Sequence, residues 1–182
     1  MSNRTFVAVP GATIVLLCSL VAGCGTNGGG GSAASPSAAI QPVSCVINAD
    51  YVIDRNDKRR VAGYAKGIFV GRVAMKVREV TDGASSKTIF RFDVLRTMKG
   101  EVDRSVEIDQ AGTSACPQVD EKLLEVGRYY VLAIGAGTPP LGLVQSYPVS
   151  QAAAQAAERD LSKADGAIQE VAEAIANPIP FP

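Results

Sequence analysis

Gly67-Ile68-Phe69-Val70-Gly71-Arg72-Val73-Ala74-Met75-Lys76-Val77-Arg78-Glu79-Val80, a polar turn at Asp82, Gly83 and Ser85, and then Lys87-Thr88-Ile89-Phe90-Arg91-Phe92-Asp93-Val94-Leu95-Arg96-Thr97-Met98-Lys99-Gly100 is the stretch whose pattern decides the fold. Phe69, Val73, Met75 and Val77 fall on odd positions, and Arg72, Lys76 and Arg78 on even ones. That alternation is the period of two of a half-buried strand. Gly71 sits on the inward phase beside Ile68 and Val70 on the other, which predicts a bulge or tight bend. In the second run Thr88, Phe90, Phe92 and Val94 alternate with Arg91 and Asp93. The two runs therefore predict one long hairpin with a single apolar face.

Downstream, Ser105-Val106-Glu107-Ile108-Asp109 alternates as a third strand, and Pro117 to Val126 is a polar segment with room for a helical turn. Gly127-Arg128-Tyr129-Tyr130-Val131-Leu132-Ala133-Ile134 reads as an apolar, aromatic strand buried on both sides or nearly so. Turn residues from Gly135 to Pro140 lead to a short fifth strand, Leu141 to Val144. Five short strands punctuated by glycine predict a small barrel over residues 45–149. Upstream, Asp54 as N-cap with Asp57 three residues on predicts a short helix. Its Lys58-Arg59-Arg60 run reads as a solvated helix face or as a contact for anionic polymer or lipid headgroups.

Residues 150–182 begin alanine-rich and helical in propensity, with Leu161, Ala164, Ile168, Val171 and Ile175 forming one apolar stripe. Asp165-Gly166 is the weak point at which this helix splits. The acidic polar face argues for packing on the barrel, or for a loosely docked tail, and against lying in a membrane. Pro178-Ile179-Pro180-Phe181-Pro182 is an extended tail.

The first 23 residues read as a secretory signal. One charge, Arg4, precedes an uncharged run from Thr5 to Ala22 that contains Pro10 and Gly11 and is short for a membrane span. Val21-Ala22-Gly23-Cys24 looks like the lipobox of bacterial lipoproteins, which would make Cys24 the lipidated first residue of the mature chain. Cys18 cannot serve, because Leu17 before it is too bulky. An uncleaved anchor helix or a non-lipidated signal are the other readings. Residues 24–44 are a tether, almost entirely Gly, Ser, Ala, Pro, Thr and Asn from Gly25 to Pro42 with Ile40 the one aliphatic residue there, that would hold the folded part about 25 Å from the lipid. The expected location is the outer face of the bacterial cytoplasmic membrane.

There is no histidine and no tryptophan, and 18 basic residues balance 18 acidic ones. Without histidine, Ser-His-Asp and Cys-His catalysis and histidine-based zinc sites are excluded. No paired-carboxylate or phosphate-cradling motif points to an enzyme, so no catalytic residue, cofactor or metal is expected. The balanced charge and the export signal also argue against nucleic acid. With Cys18 in the signal and Cys24 lipidated, Cys45 and Cys116 remain. In an exported chain such a pair reads first as a disulfide, closing a long loop and stabilising the fold by roughly 4 kcal/mol, and otherwise as reactive thiols.

Taken together, Cys45, Gly67-Ile68-Phe69-Val70-Gly71-Arg72-Val73, Phe92-Asp93-Val94-Leu95-Arg96-Thr97-Met98-Lys99-Gly100, Cys116 and Gly127-Arg128-Tyr129-Tyr130-Val131-Leu132 resemble bacterial members of the tissue inhibitor of metalloproteinases and netrin-module superfamily. The resemblance spans Cys45 to Ser146. It implies a mainly β fold, a five-stranded OB-like barrel, with Cys45 bonded to Cys116 in the connector after the third strand. Met98 stands where bacterial relatives usually carry tryptophan, and Ser146 where they often carry another cysteine.

The animal inhibitors place a free N-terminal cysteine amine on the protease zinc. Here the Cys45 nitrogen lies in the peptide bond with Ser44 and has no lone pair to offer. The expectation is therefore a non-enzymatic lipoprotein, held to the membrane by lipid on Cys24, that binds an unidentified protein or envelope polymer. Arg72, Lys76, Arg78 and Arg91 are the expected binding face, or else simply solvated strand positions. A metalloprotease inhibitor acting through barrel loops is the second expectation. An enzyme, which would need a concave cluster of ionisable groups, is the third.

Overall fold

The computed structural model describes residues 52–82, 85–118, 121–164 and 166–182, all within one compact unit, Pro42–Pro182. The signal over 1–23, Cys24, the tether over 24–44 and Cys45 lie outside the described residues. Strands β1 (Gly67–Asp82), β2 (Ser85–Lys99), β3 (Ser105–Ala111), β4 (Tyr129–Ile134) and β5 (Leu141–Val149) form one mixed sheet, and helices α1 (Lys58–Tyr64), α2 (Gln151–Arg159) and α3 (Ala167–Ala176) flank it. The sheet closes in a ring in the order β1-β2-β3-β5-β4. Every neighbouring pair is antiparallel except β3 and β5, which meet in parallel at Ile108 opposite Leu141 and Asp109 opposite Gly142.

The apolar runs of β1 and β4 lie side by side and serve two cores at once. Phe69 stands opposite Leu132, and both belong to the inner core with Phe90, Phe92, Val106 and Ile108. Phe69 and Phe92 meet edge to face with ring centres 6.1 Å apart, a favoured aromatic geometry. Ile68 opposite Ala133 and Val70 opposite Val131 take the other phase. They belong to an outer core with Val61 and Ala62 of α1, Ala153, Ala154 and Ala157 of α2, and Ile168, Val171 and Ala174 of α3. Alanine on α2 keeps that helix close to the sheet. Both faces of these strand segments are buried, which is why no charged residue interrupts either run.

Several local expectations change. The long hairpin forms, and Gly71 sits at a register shift as expected. A Cβ there would stand 2.7 Å from the Phe69 ring and 3.0 Å from the Asp93 carbonyl oxygen. Two further shifts, between Val73 and Met75 and between Lys76 and Arg78, break the strict alternation. Met75, expected inside, is consequently 45% exposed. Asp54 does not cap α1. Its carboxylate accepts from Asn56 N in a tight turn, and Asp57 becomes the N-cap, accepting from Arg59 N and Arg60 N. No helical turn forms among the described residues of 117–126. Strand β5 runs on to Val149, past Val144. Pro148 is tolerated because its only strand partner there is β4, at Tyr130. The C-terminal helix breaks earlier than expected, at Asp160, whose side chain accepts from Ser162 N and Oγ and competes with the helical bonds. A single 3-10 turn, Leu161–Lys163, follows before Gly166, at φ +56°, opens α3.

Two tethers finish the structure. The tail docks on α1: Ile179 N donates to Arg59 O, Phe181 meets Tyr64 edge to face at 5.0 Å, and a Cβ on Gly63 would lie 1.9 Å from Ile179 O. On the inner side, the buried Gln110 amide stands in for a strand, donating to Lys122 O and accepting from Leu124 N, each at 2.9 Å. Leu124 thereby joins the inner core, and Glu125 N donates to the Tyr130 hydroxyl. Replacing Gln110 by Leu leaves a main-chain carbonyl and amide without partners, which costs about 2–4 kcal/mol. The expected result is a lower urea midpoint at unchanged slope.

Candidate functional site

The bulges in β1 decide which side chains share a face. Arg72 stands opposite Asp93, Met75 opposite Arg91 and Arg78 opposite Ile89, and these partners are every second residue of β2. In β3 the same face carries Ser105, Glu107 and Asp109, opposite Asp93, Arg91 and Ile89. Phe90 and Phe92, on the alternate phase, belong to the inner core, so this is the outer face of the ring. Arg91 is held by Glu107 at 2.7 Å and Lys87 by Asp109 at 2.9 Å. Arg72 and Arg78 have no ion pair among the described residues, and both are exposed on either side of Met75. The bulges thus gather Arg72, Arg78 and Arg91 on one face.

Lys76 is not with them. It stands opposite Phe90, on the other phase, and bonds Glu79 at 2.9 Å and the Ser114 hydroxyl at 3.5 Å. Glu79 also accepts from Ser114 Oγ at 2.6 Å and Ser114 N at 3.1 Å. These bonds pin the connector after β3 to the hairpin. The Ser114 hydroxyl first, then Lys76 and the Ser114 amide, hold the Glu79 carboxyl down at about 2. Cys116, in the same connector, is buried, and its amide donates to Thr113 Oγ1.

The other ionic cluster is structural in form. Arg55 grips Glu121 with two guanidinium nitrogens, at 3.1 and 2.8 Å, and exchanges bonds with the Gln145 side chain. This fastens the segment before α1 to the connector and to β5. Nearby, Lys58 lies 5.4 Å from the centre of the Tyr147 ring, and burial pushes the Tyr147 phenol up to about 12. Such a phenol stays protonated at neutral pH and offers no base.

A polar cleft between the start of α1 and the end of α3 is lined by Asp57, Lys58, Arg59, Glu170, Glu173 and Asn177. Lys58 and Glu170 pair across it at 3.0 Å. Among the described residues no three His, Cys, Asp or Glu side chains gather as a metal site, and no helix is long and apolar enough to cross a membrane. No protein-family model matches the chain, and no curated protein matches it.

Sequence reasoning missed the Glu79–Ser114 and Arg55–Glu121 pairs, because each joins segments far apart in the chain. The sign of the Glu79 effect is fixed by its lowered value. Its ionised form contributes stability that is fully present above the ordinary value of 4.5 and is lost as pH falls towards about 2. Glu79→Gln should therefore lower the melting temperature near neutrality, with the gap to the parent closing below about pH 2. Thermal melts of both proteins across pH 1.5 to about 7 check this.

Proposed function

We propose that this chain is an exported, lipid-anchored, non-enzymatic lipoprotein that presents an OB-like barrel as a binding module at the outer face of the bacterial cytoplasmic membrane. The lipobox-like Val21-Ala22-Gly23-Cys24 and the charge-free tether support the anchoring. The ring order β1-β2-β3-β5-β4 with its one parallel contact supports the OB-like reading, as does the resemblance to the metalloproteinase-inhibitor and netrin superfamily. Aromatic side chains fill the ring interior, which directs recognition to the outside.

The observation that carries the proposal is the outer face of β1 and β2, where exposed Arg72 and Arg78, neither in an ion pair among the described residues, flank an exposed Met75. Such a face suits an anionic partner that also offers apolar contact. Cys116 is buried and its thiol is free in the structure, and the bond to Cys45, which lies outside the described residues, is part of the proposal.

Intact mass spectrometry of the membrane-extracted mature protein tests the anchoring and the bond together. The expected chain begins at a diacylated Cys24 and gains two hydrogens on reduction, and Cys24→Ala releases the protein from the membrane. A soluble chain beginning at Cys45 would contradict the proposal, because its free amine would favour zinc-protease inhibition.

A further inference from the structure

Strand β1 is longer than its second neighbour. Strand β4 pairs with it only from Gly67 to Arg72. The bonds from Val73 N to Arg128 O, 3.0 Å, and from Gly127 N to Val73 O, 2.8 Å, are the last on that side. From Ala74 to Asp82, among the described residues, main-chain pairing runs to β2 alone, so β1 keeps an open edge over this length. An open edge offers unpaired amides and carbonyls to any extended chain. Two of the exposed large apolar side chains flank it, Met75 at 45% and Val126, beside the Gly127 turn, at 58%.

We propose that this edge is a strand-addition site for an extended peptide segment in which acidic and apolar side chains alternate at every second position, along one face, as in Glu-x-Val-x-Glu. The inference rests on the binding-module reading above and names its partner class. Main-chain bonds to the β1 edge would supply affinity, and alternate side chains specificity. The bulges set the code. Because Arg72, Met75 and Arg78 face every second residue of β2, a regular strand laid along the other edge meets them at the same spacing. An acid then faces Arg78, an apolar residue two positions on faces Met75, and an acid two further on reaches Arg72 past the Gly127 turn. On the opposite phase Lys76 and Glu79 satisfy each other and leave that side neutral.

Charge opposes a second copy as the occupant over most of this edge. A two-fold antiparallel pairing of β1 with itself that follows its register shifts sets like charges directly opposite when it is centred on Met75, Lys76, Arg78 or Glu79. Arg72 then meets Arg78 in the first of these pairings, and Lys76, Arg78 and Glu79 each meet their own copy in the others. Like charges facing each other destabilise a strand pair. Centred on Val80 the pairing sets Arg78 opposite Asp82 but spans only residues 78–82, so the edge is guarded against its own kind over most of its length and open to an acidic strand.

The test uses the full chain in detergent micelles and an eight-residue peptide whose every second residue runs glutamate, valine, glutamate, valine with serine between them, so that acid and apolar side chains alternate on one face, kept below its self-association concentration. The expected result is saturable binding, with amide NMR shifts concentrated at residues 74–82, and binding weakened at least tenfold by lysine in place of glutamate. N-methylation of alternate peptide amides, which removes main-chain donors and leaves every side chain, should weaken it at least tenfold as well. Arg72→Glu with Arg78→Glu should invert the preference between the two peptides. No binding, binding indifferent to N-methylation, or shifts confined to other surfaces would overturn the proposal, as would a dimer sealing this edge in sedimentation. Each of these outcomes is independent of whether Cys24 carries lipid, so the failure of this inference and of the anchoring are distinguishable.

Discussion

Two adjacent strand segments, Ile68 to Val70 and Val131 to Ala133, bury both of their faces, and the remainder of the molecule is arranged to let them do so. Alternate residues cannot all point into one core, so the sheet needs a lining on each side. The inner lining is aromatic and branched, from Phe69, Phe90, Phe92 and Ile108. The outer one is made of small residues from α2 together with Ile168 and Val171 of α3. Burial of a large apolar side chain is worth about 1.5–3 kcal/mol, so a pair of strands buried on both faces anchors the fold more firmly than strands half in water. The C-terminal helices are part of this domain, because without them Ile68, Val70, Val131 and Ala133 would face solvent.

The same strand that is most buried at its start is the most accessible at its end. Past Val73 it loses β4, gains bulges, and turns cationic side chains and a methionine outward. Glu79 ties this outer half to the connector through Ser114, so the projecting hairpin has a brace on one phase and a free face on the other. Recognition by an exposed strand edge suits a protein whose interior is filled. Placing that edge on a hairpin that runs beyond the paired region keeps the two-sided core clear of whatever docks there.

The hairpin, the third and fourth strands and the C-terminal stripe were legible because each carries its signal locally, in a period of two or of three to four. Gly71 was legible as a bend because glycine on an inward phase has few other uses. Met75 was not, because a bulge shifts the phase without leaving a mark in composition. The start of α1 was misplaced because Asp54 and Asp57 are equally good caps, and the choice falls to the turn at Asn56. The reach of β5 through Pro148 depends on which edge has a neighbour, a tertiary fact. Of the four basic residues expected on one face, Arg72, Arg78 and Arg91 share it and Lys76 does not, for the same bulges. The anchoring pairs Arg55–Glu121 and Glu79–Ser114 span 66 and 35 residues of chain, beyond any local pattern.

The central claim is that β1 is one strand with two characters, locked from Ile68 to Val73 and open-edged beyond. Residue-resolved hydrogen exchange of the native protein measures this directly, since protection follows local stability. The account predicts that amides of residues 68–73 and 130–134 are among the slowest in the molecule. Those of residues 74–82 that face away from β2 should exchange orders of magnitude faster. Uniform slow exchange along the whole of β1 would contradict it, because the far edge would then be covered by something in the protein itself.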